Sequence, residues 1–181
     1  MLQPAATPRC YVAATVFVKT VSQIQRNSID GSGPPFGITR PSTSVSSLED
    51  SVAACVRLGH VYPAPFDVLL AAHDVMEPDI IFVSSQRADI IGDDNIQGAP
   101  DLLIEVLSPS NRKRDQTLKR ARYEALGVTE YWLVDPDAKH ISVLRREAGQ
   151  FAGAGVFGEG ATVTSPLLPG LSIAVADVFA R

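Results

Sequence analysis

The segment Ala99 to Ser110, APDLLIEVLSPS, limits the folds open to this chain more than any other stretch. Side chains of an extended strand alternate with a period of two, so Leu102, Ile104 and Val106 face one side and Asp101, Leu103, Glu105 and Leu107 the other. Apolar residues on both sides need cover on both sides, which places this strand inside a sheet with material packed on each face. Asp101 and Glu105 then project together onto a covered face. A carboxylate withdrawn from water is costly unless a proton, a partner or a metal ion satisfies it. The segment therefore holds either a functional site or a structural ion pair.

The chain has 181 residues, 45% hydrophobic and 20% charged, enough for one domain with a full core. A formal charge of −4 speaks against binding nucleic acid by general basicity. Its distribution is uneven. Residues 1–45 carry Arg9, Lys19, Arg26 and Arg40 against Asp30, whereas the remainder is net acidic, with six of the sixteen basic residues gathered between Arg112 and Arg122. Cys10 and Cys55 form no C-x-x-C pair, so neither a zinc site nor a disulfide scaffold is expected, and a reducing compartment fits. Tyr11 to Val18 is too short and too poorly flanked for a secretory signal, and no segment approaches the roughly 20 apolar residues that span a bilayer. The expectation is a soluble, cytoplasmic protein.

Residues 27–47 are rich in Ser, Pro, Gly and Thr and read as a linker, so the chain divides into a divergent N-terminal segment, 1–45, and a domain, 46–181. Leu48 to Leu58 has helical spacing, with Ser46 or Ser47 as a cap and Gly59 as a stop. His60 to Leu70 and Pro78 to Val83 read as strands, the first marked as an edge or bulge by Pro63 and Pro65. A helix is predicted over Asp115 to Leu126, ended by Gly127. Tyr131 to Val134 and His140 to Leu144 form a hairpin across the turn at Asp135, Pro136 and Asp137. A further strand is expected near Ala161 to Thr164. This order implies an α/β (α+β) fold with a mixed sheet, in which the helix after Leu107 can cross over to a parallel neighbour.

On a wheel at about 100° per residue, Leu118, Ala121, Tyr123, Ala125 and Leu126 define an apolar arc and Lys119 falls inside it. A lysine there either snorkels to water or points its amine at a buried acid. A second acid, Asp79, precedes the apolar run Ile80 to Val83. Two carboxylates and a lysine suit metal-dependent phosphodiester cleavage: the acids hold Mg²⁺, and the lysine orients or deprotonates water or offsets charge in the transition state.

The runs MEPDIIFV, GAPDLLIEVLSPSNRKRDQTLKRARYEALGVTEYWLVDPDAKHISVL and LLPGLSIAVADVF together resemble the Uma-type restriction endonuclease family, a branch of the PD-(D/E)xK nuclease superfamily, from about Gly59 to the C-terminus. The resemblance implies a restriction-endonuclease-like mixed β-sheet core flanked by helices, and a Mg²⁺-dependent DNA endonuclease, with Mn²⁺ as a substitute. Asp79 matches the acid of the PD motif and Glu105 that of (D/E)xK, with the Val106 backbone carbonyl lent to the metal. The superfamily's lysine position is Leu107 here, and Lys119 on the following helix matches the lysine that stands in for it. Asp101 is either a further ligand or a structural acid. Arg112, Lys113 and Arg114 become candidates for DNA phosphate contacts, and a homodimer would place one site on each strand. The family's N-terminal Tyr-Glu-Leu-Ile-Asp-Gly-Glu segment is echoed only by Ile29-Asp30-Gly31, without the glutamate. That departure leaves an alternative, a catalytically inactive nuclease-like domain that binds nucleic acid or protein.

Gly153, Gly155 and Gly158 satisfy G-x-G-x-x-G, but no βαβ unit follows, so a turn is expected there and no nucleotide site. His60, His73 and His140 stand apart from one another. Tyr131 and Trp132 are expected in the core of the hairpin.

Overall fold

The computed structural model describes residues 58–71, 74–109 and 112–180; the N-terminal segment 1–45 lies outside them, as does the helix expected over Leu48 to Leu58 except for Leu58, which is in a turn. Six strands form the main sheet in the order β1-β4-β6-β7-β8-β9: β1 (Gly59–Pro63), β4 (Ile80–Ser84), β6 (Leu102–Val106), β7 (Glu130–Asp135), β8 (His140–Glu147) and β9 (Gln150–Phe157). β6 and β7 run parallel and every other neighbouring pair runs antiparallel, so the sheet is mixed. A smaller sheet joins β2 (Asp67–Ala71) to β3 (Asp74–Met76) and β5 (Asn95–Gln97), and β10 (Thr162–Val163) pairs with β11 (Ile173–Ala174).

The helix between β6 and β7, labelled α1, is continuous but not uniform. Arg112–Arg114 is α-helical, Asp115–Lys119 is a π turn, and Arg120–Leu126 is α-helical again. It ends where Gly127 adopts a left-handed conformation (φ 103°), which lets its N–H and that of Val128 close onto the Tyr123 carbonyl. A short helix α2 (Val175–Phe179) follows β11.

Strand alternation sorts the core into two layers. Ile80, Phe82, Leu102, Ile104, Trp132 and Val134 meet the C-terminal residues Leu171, Ile173, Val175 and Val178 on one face. Ile81, Val83, Leu103, Tyr131 and Leu133 pack on the other against Tyr123 of α1 and against Val68, Met76 and Ile96 of the small sheet. β6 is buried at all five positions, as expected for a strand covered on both sides.

Several details differ from expectation. The single strand expected over His60 to Leu70 is two strands in different sheets, split at the cis Ala64–Pro65 bond. Gly59, expected as a helix stop, opens β1, where a Cβ would clash with the Val83 carbonyl oxygen. The glycines of the GAGVFG motif do not form a turn: Gly153 and Gly155 lie within edge strand β9. Tyr131 and Trp132 are both fully buried, but in opposite layers. In α1, Leu118, Ala121 and Ala125 face water, Leu118 being 46% exposed. The buried stripe of the helix is instead Asp115, Lys119 and Tyr123, because the acids beneath it bond better to an ammonium and a phenol than to methyl groups.

Candidate active site

Three separate elements converge at the C-terminal end of β6. The register of β4 against β6 pairs Ile80 with Ile104 and Ile81 with Leu103, and one further step sets Asp79 beside Glu105. Asp79 Oδ2 accepts the Val106 N–H at 2.6 Å, which fixes the acid of one strand to the backbone of the other.

Glu105 is 1% exposed. Its Oε2 accepts from Lys119 Nζ at 2.8 Å and its Oε1 from the Tyr123 hydroxyl at 2.8 Å. Lys119 Nζ also lies 3.0 Å from Oδ1 of Asp115, one π turn earlier on α1. Tyr131 O–H donates to the Asp115 carbonyl at 3.1 Å, holding the start of that turn against β7. Single π turns are frequent at functional sites, where they re-aim side chains. Here the turn sets Asp115 and Lys119 on one inward stripe.

Burial governs the electrostatics. It pushes the Glu105 carboxyl up to about 8, against the pull of the Lys119 ammonium and with a further push from Asp79. Asp79 is raised for the same first reason, although the Val106 N–H and Lys119 act in the opposite direction. For Lys119, burial alone would lower the pKa, but Glu105 and Asp115 together hold it above the ordinary lysine value. Lys119 is therefore a cation at neutral pH. Tyr123 and Tyr131 are driven well above the phenol range by burial and by Glu105, so both remain hydrogen-bond donors.

The other expected site residues lie apart from this cluster or are differently engaged. Asp101 shares the face of Glu105 but sits at the opposite end of the strand, where Oδ2 accepts the Ser84 N–H at 2.7 Å and Oδ1 accepts from Arg87 at 3.1 Å. It anchors the turn after β4. Arg112 directs its fork at Asp135, with Nη2 also 2.9 Å from Asp137. Arg112 thus ties the start of α1 to the β7–β8 turn. Burial would raise the Asp135 carboxyl, but Arg112 and the Ala138 N–H hold it below the usual carboxylate range. Lys113 is exposed, and the side chain of Arg114 lies outside the described ones. Asp115 was not a candidate in the sequence; its spacing of four from Lys119 was the available signal.

Among the described residues, no three His, Cys, Asp or Glu side chains close into a metal cage. The donors present are nevertheless hard carboxylate oxygens, the kind that Mg²⁺ takes one or two at a time while keeping several waters. Each carboxylate retains lone pairs beyond the hydrogen bonds it accepts. On the opposite face of the sheet a hollow of about 40 Å³ is lined, among the described residues, by Ile80, Phe82, Trp132 and other apolar residues. Among the described residues, no helix is long and apolar enough to cross a membrane.

The comparisons with known proteins agree with this architecture. A crystal structure of a protein described as a "putative nuclease belonging to DUF820", from Anabaena variabilis, superposes with a TM-score of 0.61 at 20% identity, over 91% of this chain and 80% of that one. At that identity the likeness speaks for the fold alone. No curated protein matches the chain. The model of the Uma2 family, described as "putative restriction endonuclease", matches residues 39–176. With so much of its length matched, and with a mixed sheet that brings Asp79 and Glu105 together, this chain belongs to the Uma2 family.

Proposed function

We propose that the protein is a Mg²⁺-dependent endonuclease that hydrolyses phosphodiester bonds in DNA, with Mn²⁺ able to substitute. The observation that carries this reading is the convergence of Asp79, Glu105 and Lys119 from three elements on one buried spot, tied by the Val106 N–H and the Lys119 ammonium. Asp79 and Glu105 would hold the metal, together with the Val106 carbonyl. When bound, such an ion polarises a phosphate oxygen and lowers the pKa of its water.

The chain's own residues do the rest. Lys119, cationic because two carboxylates face it, suits stabilisation of the charge that develops on the phosphate better than proton abstraction. Tyr123 fixes one oxygen of Glu105, leaving its orientation to a rigid donor. Lys113, exposed at the start of α1, is available to a backbone phosphate.

The test is calorimetric titration of Mg²⁺ and Mn²⁺ into the protein and its Glu105→Ala variant, with plasmid nicking on the same samples. Binding and nicking lost together in a folded variant support the reading. A wild-type protein that binds DNA without metal and never nicks it would instead make this a nuclease-like binding domain.

A further inference from the structure

A second feature lies beside the acids on the same face of the sheet. β1 is an edge strand of the main sheet, paired so that His60 stands opposite Val83 and Tyr62 opposite Ile81. Directly opposed residues project to one side, and Val83 and Ile81 belong to the layer that also covers Glu105. His60 and Tyr62 therefore rise from the same face as the acids. Phe66, just past the cis bond, completes a row of rings. Tyr62 and Phe66 lie nearly parallel, centroids 4.4 Å apart at 13°. His60 and Tyr62 are also nearly parallel, at 19°, with centroids 6.5 Å apart.

This row lies at the rim of the core, with Tyr62 and Phe66 packed against the buried layer. Tyr123 and Tyr131 are fully buried and meet edge to face, at 68°. His60, Tyr62 and Phe66 are only half-buried, on the outermost strand among the described residues. Backbone bonding ties them to the site: Ala64 N–H donates to the Asp79 carbonyl at 2.9 Å. That contact makes Tyr62 a diagonal neighbour of Asp79 across the strand pair, roughly 7–8 Å away. The His60–Tyr62 spacing is close to twice the ~3.4 Å rise of stacked bases.

We propose that His60, Tyr62 and Phe66 form a stacking platform for an unpaired nucleobase of the DNA substrate, adjoining the phosphate that a metal at Asp79 and Glu105 would hold. The inference deepens the nuclease reading and rests on it. Parallel, partly exposed rings beside a backbone-binding site are what single-strand recognition uses, since every base has a face to stack. The substrate class implied is DNA that is single-stranded or locally unpaired next to the cut.

The test is binding of a single-stranded oligonucleotide carrying 2-aminopurine, followed by fluorescence and anisotropy in EDTA, so that no metal or cleavage enters the readout. Stacking predicts quenching with the wild type. Tyr62→Ala weakens binding at least five-fold and abolishes quenching, while Tyr62→Trp restores both. His60→Ala, which leaves the Tyr62–Phe66 pair intact, weakens binding several-fold and serves if Tyr62→Ala does not fold. Binding by the wild type with unchanged affinity and quenching in the folded variants would overturn the platform while leaving the nuclease reading in place. A wild type that binds neither single-stranded nor duplex DNA would overturn both.

Discussion

Lys119 Nζ lies 2.8 Å from Glu105 Oε2 and 3.0 Å from Asp115 Oδ1, so one ammonium serves two acids that are both almost wholly removed from water. Removing one member of such a group leaves the others buried without their partner. Lys119→Met is expected to lower stability by about 3 kcal/mol and to lower cleavage by roughly 10²-fold or more, as for loss of a charge stabiliser. Denaturant unfolding and single-turnover nicking measure the two effects. Lys119→Arg should restore stability better than cleavage, because a planar fork does not reproduce a point charge.

The raised carboxyls make a pH prediction with a definite sign. A carboxyl whose folded pKa lies above its unfolded value holds its proton more tightly when folded, so its contribution is complete below the unfolded pKa and is lost as pH rises through the folded one. For Glu105 the window runs from the ordinary value of 4.5 to about 8, and Asp79 contributes in the same direction. Metal-free protein in EDTA should therefore lose stability as pH rises across that window. Glu105→Gln should flatten the profile without levelling it, since Asp79 remains. A profile unchanged by the substitution would place the titration elsewhere.

Tyr123 is the residue whose loss should separate folding from function most cleanly. Tyr123→Phe removes only the donor to Glu105 Oε1 and keeps the ring in the core, so the expected stability loss is about 1 kcal/mol. Metal affinity should fall by roughly 10- to 100-fold, the usual effect of losing a group that orients a ligand. Thermal unfolding and Mn²⁺ titration by calorimetry check the two halves.

The neighbours Arg112 and Lys113 should behave differently. Arg112 is committed to Asp135 and Asp137, so Arg112→Ala should lower the melting temperature. Because Arg112 helps hold Asp135 below the carboxylate range, the wild-type advantage should be present at neutral pH and shrink as pH falls through the Asp135 titration. Lys113→Ala should leave stability within about 0.5 kcal/mol and reduce the slope of log affinity for duplex DNA against log salt by about 0.9, one phosphate contact. Salt titrations by anisotropy distinguish the two.

Much of this protein was legible in the chain. APDLLIEVLSPS is apolar on both faces of a strand, and only a strand inside a covered sheet can bury it, so the centre of the fold followed from period-two alternation. Gly127 marked the end of α1, and the step from β6 through α1 to a parallel β7 followed from the strand–helix–strand order. Asp79, Glu105 and Lys119 stood out because each is a charge within an apolar setting, a local property. Other features depended on partners far away in sequence. Asp101 and Glu105 look alike in the strand, yet one meets Arg87 and the Ser84 N–H while the other meets Lys119 and Tyr123, a distinction set by what packs against each end. Asp115 shares a helix face with Lys119 by its spacing of four, but that this face is laid against Glu105 depends on how α1 packs on the sheet. Arg112 reads as a free cation until the β7–β8 turn folds back to meet it. Periodicity within a segment fixes which face a side chain takes, and it is a property of sequence alone. Which groups meet on that face depends on register and on the layer laid over it, and only the tertiary structure decides those.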